Sequence, residues 1–101
     1  MAYKAVFRGN ALKEFEGLSQ GQKKAIAKKI KAIQADPFAR GSVELKKYAP
    51  LRRIKAGDAR MIYDPEPDTQ GQLSMWRFGV DHSIYDDLGD LYEAYLSELM
   101  P

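Results

Sequence analysis

The stretch Arg52-Arg53-Ile54-Lys55-Ala56-Gly57-Asp58-Ala59-Arg60-Met61-Ile62-Tyr63 decides the fold. Two alternating runs flank Gly57-Asp58, a pair suited to a tight turn between antiparallel strands. Successive side chains on a strand point to opposite faces, so Arg53 and Lys55 share one face and Ile54 takes the other. On the returning strand, Met61 and Tyr63 lie opposite Arg60 and Ile62 in direction. A hairpin therefore brings Arg60 near Arg53 and Lys55, with Arg52, Lys46 and Lys47 close by. Cations at this density repel one another unless an anion neutralises them. A phosphate backbone is the natural partner, because guanidinium groups bind its oxygens bidentately. The bland alternative is a solvated strand face, or ion pairs to Asp58, Asp64 or the acidic end of the chain.

Working outward, residues 3–7 alternate as a short strand, broken at Gly9-Asn10. Asn10 is placed to cap a helix over residues 11–17, with Leu12, Phe15 and Leu18 on one side. Ser19 and Gln22 fit a capping box for a second helix, whose core stripe is Ile26, Ile30 and Ile33. Pro37 disfavours the helical region at Asp36 and ends it there. Residues 37–50 read as a loop with breakers at Pro37, Gly41 and Pro50. Strands are expected at 51–55, 59–63 and 73–80, the last carrying Trp76 and Phe78 at period 2 as core residues. Arg77 then faces away from that core. Leu88, Leu91, Tyr92, Tyr95, Leu96 and Leu99 form one face of an amphipathic helix over about 86–99. Asp86, Asp87 and Asp90 fall in its first turns, where the helix dipole favours anions. The order is β-α-α-β-β-β-α, an α+β fold with a helical hairpin packed on a mainly antiparallel sheet and a C-terminal helix.

Length and composition agree with a single domain over residues 1–101: 45% of the residues are hydrophobic and 30% are charged. The absence of cysteine excludes disulfides and thiolate chemistry, and one histidine excludes a His-rich metal site. Neither a metal nor a cofactor is expected. No apolar run approaches the roughly 20 residues that span a bilayer, and no signal-peptide core is evident. A cytoplasmic protein without membrane contact is therefore expected. The net charge of +2 hides a split. Residues 1–60 carry +10 and residues 61–101 carry −8, with Arg77 the single cation of the second part. Such a split suits a polyanion-binding surface in the first part and an acidic element in the second.

The stretch from Arg53 through Gly57-Asp58 to Arg60-Met61-Ile62-Tyr63 resembles the central hairpin signature of the RelE/ParE superfamily of toxins from type II toxin–antitoxin systems. Ala11-Leu12-Lys13, Asp36-Pro37, Leu45-Lys46 and the segment 79–85 agree in order, so the resemblance covers residues 3–85. It implies a cognate antitoxin protein as partner. It also implies one of two activities. RelE-like members are mRNA interferases, endoribonucleases that cleave mRNA on the ribosome and so inhibit translation. ParE-like members inhibit DNA gyrase and have no nuclease centre. A toxin-fold protein without activity is the third reading.

The nuclease reading is favoured, and it assigns roles. Metal-independent cleavage uses the RNA's own 2′-hydroxyl as nucleophile and needs a base, an acid and cations for the transition state. By the resemblance, Arg60 stabilises the transition-state charge. Arg53 and Lys55 hold phosphates, and Lys55 is also a candidate base. Tyr85 matches the family's terminal tyrosine, a base or an RNA-stacking residue. His82 is the one side chain whose ordinary pKa lies near neutrality, which suits an acid or a base. Arg52, Lys46, Lys47 and Arg77 are further RNA- or phosphate-binding candidates. One position departs: the family arginine two residues after the glycine falls on Asp81. Either His82 and Arg77 take over the missing function, or the nuclease centre is inactive.

Overall fold

The hairpin forms at the expected place. In the computed structural model, which describes residues 2–99, β3 (Arg52–Ala56) pairs with β4 (Ala59–Tyr63), Lys55 opposite Arg60 and Arg53 opposite Ile62. The connecting turn has two residues, and Gly57 takes φ +64°, a left-handed value that glycine adopts without steric cost. The remaining elements are β1 (Lys4–Phe7), α1 (Ala11–Glu16), α2 (Gln20–Ala35), β2 (Val43–Glu44), β5 (Gln72–Val80), a 3-10 turn (Asp81–Tyr85) and α3 (Leu88–Leu99). The sheet runs β1-β5-β4-β3-β2, antiparallel except where β1 lies parallel to β5.

Local chemistry explains the helical hairpin. Ser19 Oγ accepts from the Gln22 N–H at 3.2 Å, and Gln22 Oε1 accepts from the Ser19 N–H at 2.9 Å, completing the expected capping box. The helix stops at Ala35, before Asp36-Pro37. Asn10 stands at the N-cap of α1, but its side chain makes no cap hydrogen bond. Ile26 and Ile33 are fully buried against Ile54, Met61, Tyr63, Leu73, Met75 and Phe78. Phe7, Phe15 and Phe78 close that core with ring centroids 5.3–5.6 Å apart. Each such apolar side chain contributes roughly 1.5–3 kcal/mol.

The other face of the sheet carries a second core of Leu51, Ile62, Trp76, Ile84 and Tyr95, roofed by α3. The expected period through β5 fails here. Tyr63 pairs with Met75 while Ile62 pairs with Arg77, so Trp76 is an extra, unpaired residue. This β-bulge turns Trp76 and Phe78 to opposite faces, and Arg77 shares the face of Trp76. Both aromatics are buried as expected, but in different cores. On α3, Leu88, Leu91, Tyr92 and Tyr95 pack inward, whereas Leu96 and Leu99 are exposed. The helix begins at Leu88, so Asp86 and Asp87 precede it. Among the described residues, Asp64 is the sole buried charged side chain, 7% exposed at the end of β4.

Two predictions follow from this packing. Gly57→Ala places a Cβ in the left-handed region and is expected to cost about 1–2 kcal/mol, read as a lower urea midpoint. Desolvation pushes the Asp64 carboxyl above its ordinary 3.8; the Glu66 charge adds to this, while the Glu66 N–H and the Tyr95 side chain oppose it. A raised carboxyl pKa means that the folded state favours the protonated form, so the ionised group costs stability once pH exceeds the folded value. Asp64→Asn is therefore expected to raise the melting midpoint at neutral pH. The gain should shrink as pH falls through the raised value toward 3.8.

Candidate nucleic-acid interface

β4 is buried at Ala59, Met61, Ile62 and Tyr63, and Arg60 is its one partly exposed residue. Arg60 shares the face of Ile62, together with Arg53 and Lys55 across the hairpin. The expected convergence of these three cations is present. Arg60 Nη1 donates to the Tyr85 hydroxyl oxygen at 3.3 Å, and its Cζ lies 5.6 Å from the centre of the Tyr85 ring. Its Nε is buried with no hydrogen-bond partner. His82 is exposed one turn earlier, its ring 6.3 Å from that of Tyr85. Arg60, Lys55, Tyr85 and His82 thus gather at one end of the sheet.

The electrostatics of the cluster are one-sided. Among the described residues, the single charge pair within 4.0 Å is Arg8 with Asp68, at 3.8 Å. Neither Asp58, Asp64 nor the acidic final helix neutralises the hairpin, so the ion-pair alternative for these cations fails. Lys55 is exposed, and Arg53 and Arg60 are half-buried, with no neutralising carboxylate among the described residues.

Arg77 acts on the backbone. Its Nη1 donates to the Ile84 carbonyl at 3.1 Å and to the Asp86 carbonyl, clamping the chain on both sides of Tyr85. Gly79 lies opposite Arg60 in β5, and a Cβ there would come within 3.3 Å of Ile84 Cβ. Sequence reasoning gave no role to Gly79, although a glycine inside a strand signals a close approach of this kind. It placed Gln22 in the capping box but missed its second bond, in which Nε2 donates to Asp58 Oδ1 at 3.2 Å and ties α2 to the hairpin tip.

Other candidates lie elsewhere. Arg52 pairs with Tyr63 and takes the opposite face, so the structure does not bring it to Arg53 and Lys55. It donates to Ser42 Oγ at 3.1 Å and Ser42 O at 3.0 Å, and its Cζ lies 5.0 Å from the Phe38 ring centre. Lys46 and Lys47 are exposed on a separate turn, next to Tyr48, which stacks edge-on with Tyr92 of α3. Asp81 opens the 3-10 turn with φ +55°, its N–H bonded to Asp58 O at 3.0 Å. Its side chain is exposed, and no hydrogen bond or ion pair among the described residues engages it.

The fold, a helical hairpin on one face of a mixed sheet with a C-terminal helix, is similar to that of solved RelE toxins. A mutant of the E. coli toxin RelE in the free state superimposes with a TM-score of 0.71 at 20% identity, covering 99% of this chain and 100% of that one. The RelBE2 toxin–antitoxin complex of Mycobacterium tuberculosis gives 0.67 at 17% identity, covering 79% and 99%. The archaeal RelE–RelB complex from Pyrococcus horikoshii gives 0.62 at 16%, covering 81% and 98%. No family model and no curated protein sequence matches the chain.

Arg77→Ala leaves the Ile84 and Asp86 carbonyls without this donor. It is expected to lower stability by about 1–3 kcal/mol and to broaden the Tyr85 ring signals in the proton NMR spectrum, while Arg77→Lys restores part of both.

Proposed function

We propose that this protein is the toxin of a type II toxin–antitoxin pair and cleaves mRNA on the ribosome. The observation that carries this reading is the Arg60 guanidinium held against the Tyr85 hydroxyl, on the same face as Arg53 and Lys55, with no carboxylate within 4.0 Å among the described residues. In this reading Arg53 and Lys55 bind the phosphates that flank the scissile bond. The 2′-oxygen of the RNA attacks the adjacent phosphorus, forms a cyclic phosphate and expels the 5′-oxygen. His82 takes the 2′-hydroxyl proton. The Tyr85 oxygen accepts from Arg60, so its own proton is free to pass to the departing 5′-oxygen. Arg60 and Lys55 hold the extra negative charge that develops on the phosphoryl oxygens.

Asp81 stands where the family resemblance expects an arginine, and its exposed carboxylate adds repulsion near the phosphate. Arg60 therefore carries most of the transition-state charge. The antitoxin, in turn, is a protein whose segment covers the cationic face and bars RNA from it.

Primer extension on translating ribosomes tests the proposal. The native chain is expected to cut mRNA within the A site. Arg60→Ala should lower cleavage by about 10²–10³-fold, and His82→Ala by about 10²–10⁴-fold. Intact mRNA during growth arrest overturns the nuclease reading. Inhibition of supercoiling by purified gyrase would then establish the ParE-like alternative.

A further inference from the structure

At the other end of β4 lies a cavity of about 380 Å³ between the sheet, the 64–68 loop and the last turn of α3. Asp64 is four residues beyond Arg60, roughly 13 Å at strand rise, and none of Arg53, Lys55 and Arg60 lines the cavity, so it is separate from the cationic cluster. Its walls are the Trp76 indole, displaced to this face by the bulge, and the Tyr95 ring, with centroids 6.0 Å apart and nearly perpendicular. Its charge is opposite to that of the hairpin. Arg8 is already engaged, by Ser74 Oγ at 3.1 Å and by Asp68 at 3.8 Å. That leaves Asp64, Glu66 and Glu98 on the lining, none with a cation within 4.0 Å among the described residues.

We propose that this cavity binds an organic cation, a guanidinium or primary ammonium group, with Asp64 as its counter-ion and Trp76 and Tyr95 as its aromatic walls. Asp64 is 93% removed from solvent, and its Oδ1 accepts from the Glu66 N–H at 2.9 Å. A buried carboxylate with no cation is costly, and burial has pushed up both this carboxyl and the Tyr95 hydroxyl, the latter to about 12. A bound cation removes that cost. Aromatic faces within about 6 Å of a cation add attraction, most strongly for tryptophan. An anion is repelled by three carboxylates, and an uncharged apolar ligand would desolvate them without return. The volume fits one small head group and its stem. Two sources share this chemistry: a free polyamine-type molecule and an arginine side chain of a partner protein.

Trp76 is the only tryptophan of the chain, so fluorescence excited selectively in tryptophan reports on this cavity wall. Agmatine and Nα-acetyl-arginine amide are titrated in parallel, with sodium chloride at equal ionic strength as reference. A saturable fluorescence change is expected with both probes. Tighter binding of the blocked arginine supports a partner's side chain, and tighter binding of agmatine supports a free cation. Asp64→Asn should weaken binding at least tenfold. Glu98→Gln, at an exposed helix position that does not bear on folding, should weaken it about threefold. No saturable change beyond the salt reference overturns the proposal. So does native affinity in both variants. This outcome is independent of RNA cleavage, which uses the opposite end of the strand.

Discussion

A strand packed on both faces cannot slip or rotate without emptying two cores at once. β4 is such a strand: Met61 and Tyr63 bury against the helical hairpin, while Ala59 and Ile62 are also sealed from water. A one-residue shift of register would turn every side chain to the wrong face. Arg60 is the exception on this strand, and its position is therefore set by its neighbours' burial. The same packing orders Arg53 and Lys55, because their register is read from Ile62 and Arg60. The cationic face is a consequence of hydrophobic alternation before it is a feature of charge.

The second core completes the arrangement. Ile84 packs against Ile62 and Trp76, and this contact anchors the 3-10 turn that brings Tyr85 to Arg60. Gly79 permits the approach and Arg77 holds it from the backbone side. Three residues from β5 and the turn thus position one hydroxyl. The arginine at the centre keeps a buried Nε without a partner, an unmet donor of the kind that active and binding sites retain.

Much of this was legible in the chain. The alternation around Gly57-Asp58, the Ser19–Gln22 box and the stop at Pro37 each have a local physical cause, and each appears where local rules place it. The features that were not legible depend on partners distant in sequence. β2 is two residues long and exists only because Val43 and Glu44 meet Arg53 and Arg52. The bulge at Trp76 breaks a period that looks unbroken in the sequence, since Trp76, Arg77 and Phe78 alternate cleanly until the strand is paired. Arg52 looks like a member of the cationic cluster by proximity, yet its parity sends it to Ser42 and Phe38. Asp81 and Asp87 adopt left-handed φ values that no turn signal announces. For the site, the three hairpin cations were readable, whereas the Tyr85 contact required the second core.

The charge split of the sequence becomes a polarity along a single strand. The cationic end of the sheet carries Arg53, Lys55 and Arg60; the other end carries Asp64, Glu66 and Glu98 around a cavity. With one ion pair within 4.0 Å among the described residues, the two sets do not neutralise each other within the monomer. Roughly 13 Å of strand separates Arg60 from Asp64, whereas Arg53, opposite Ile62, lies nearer the acidic end. A fold of 101 residues has little surface to spare. The two sets use different side chains, so the proposed polyanion and the proposed cation would not compete for the same groups.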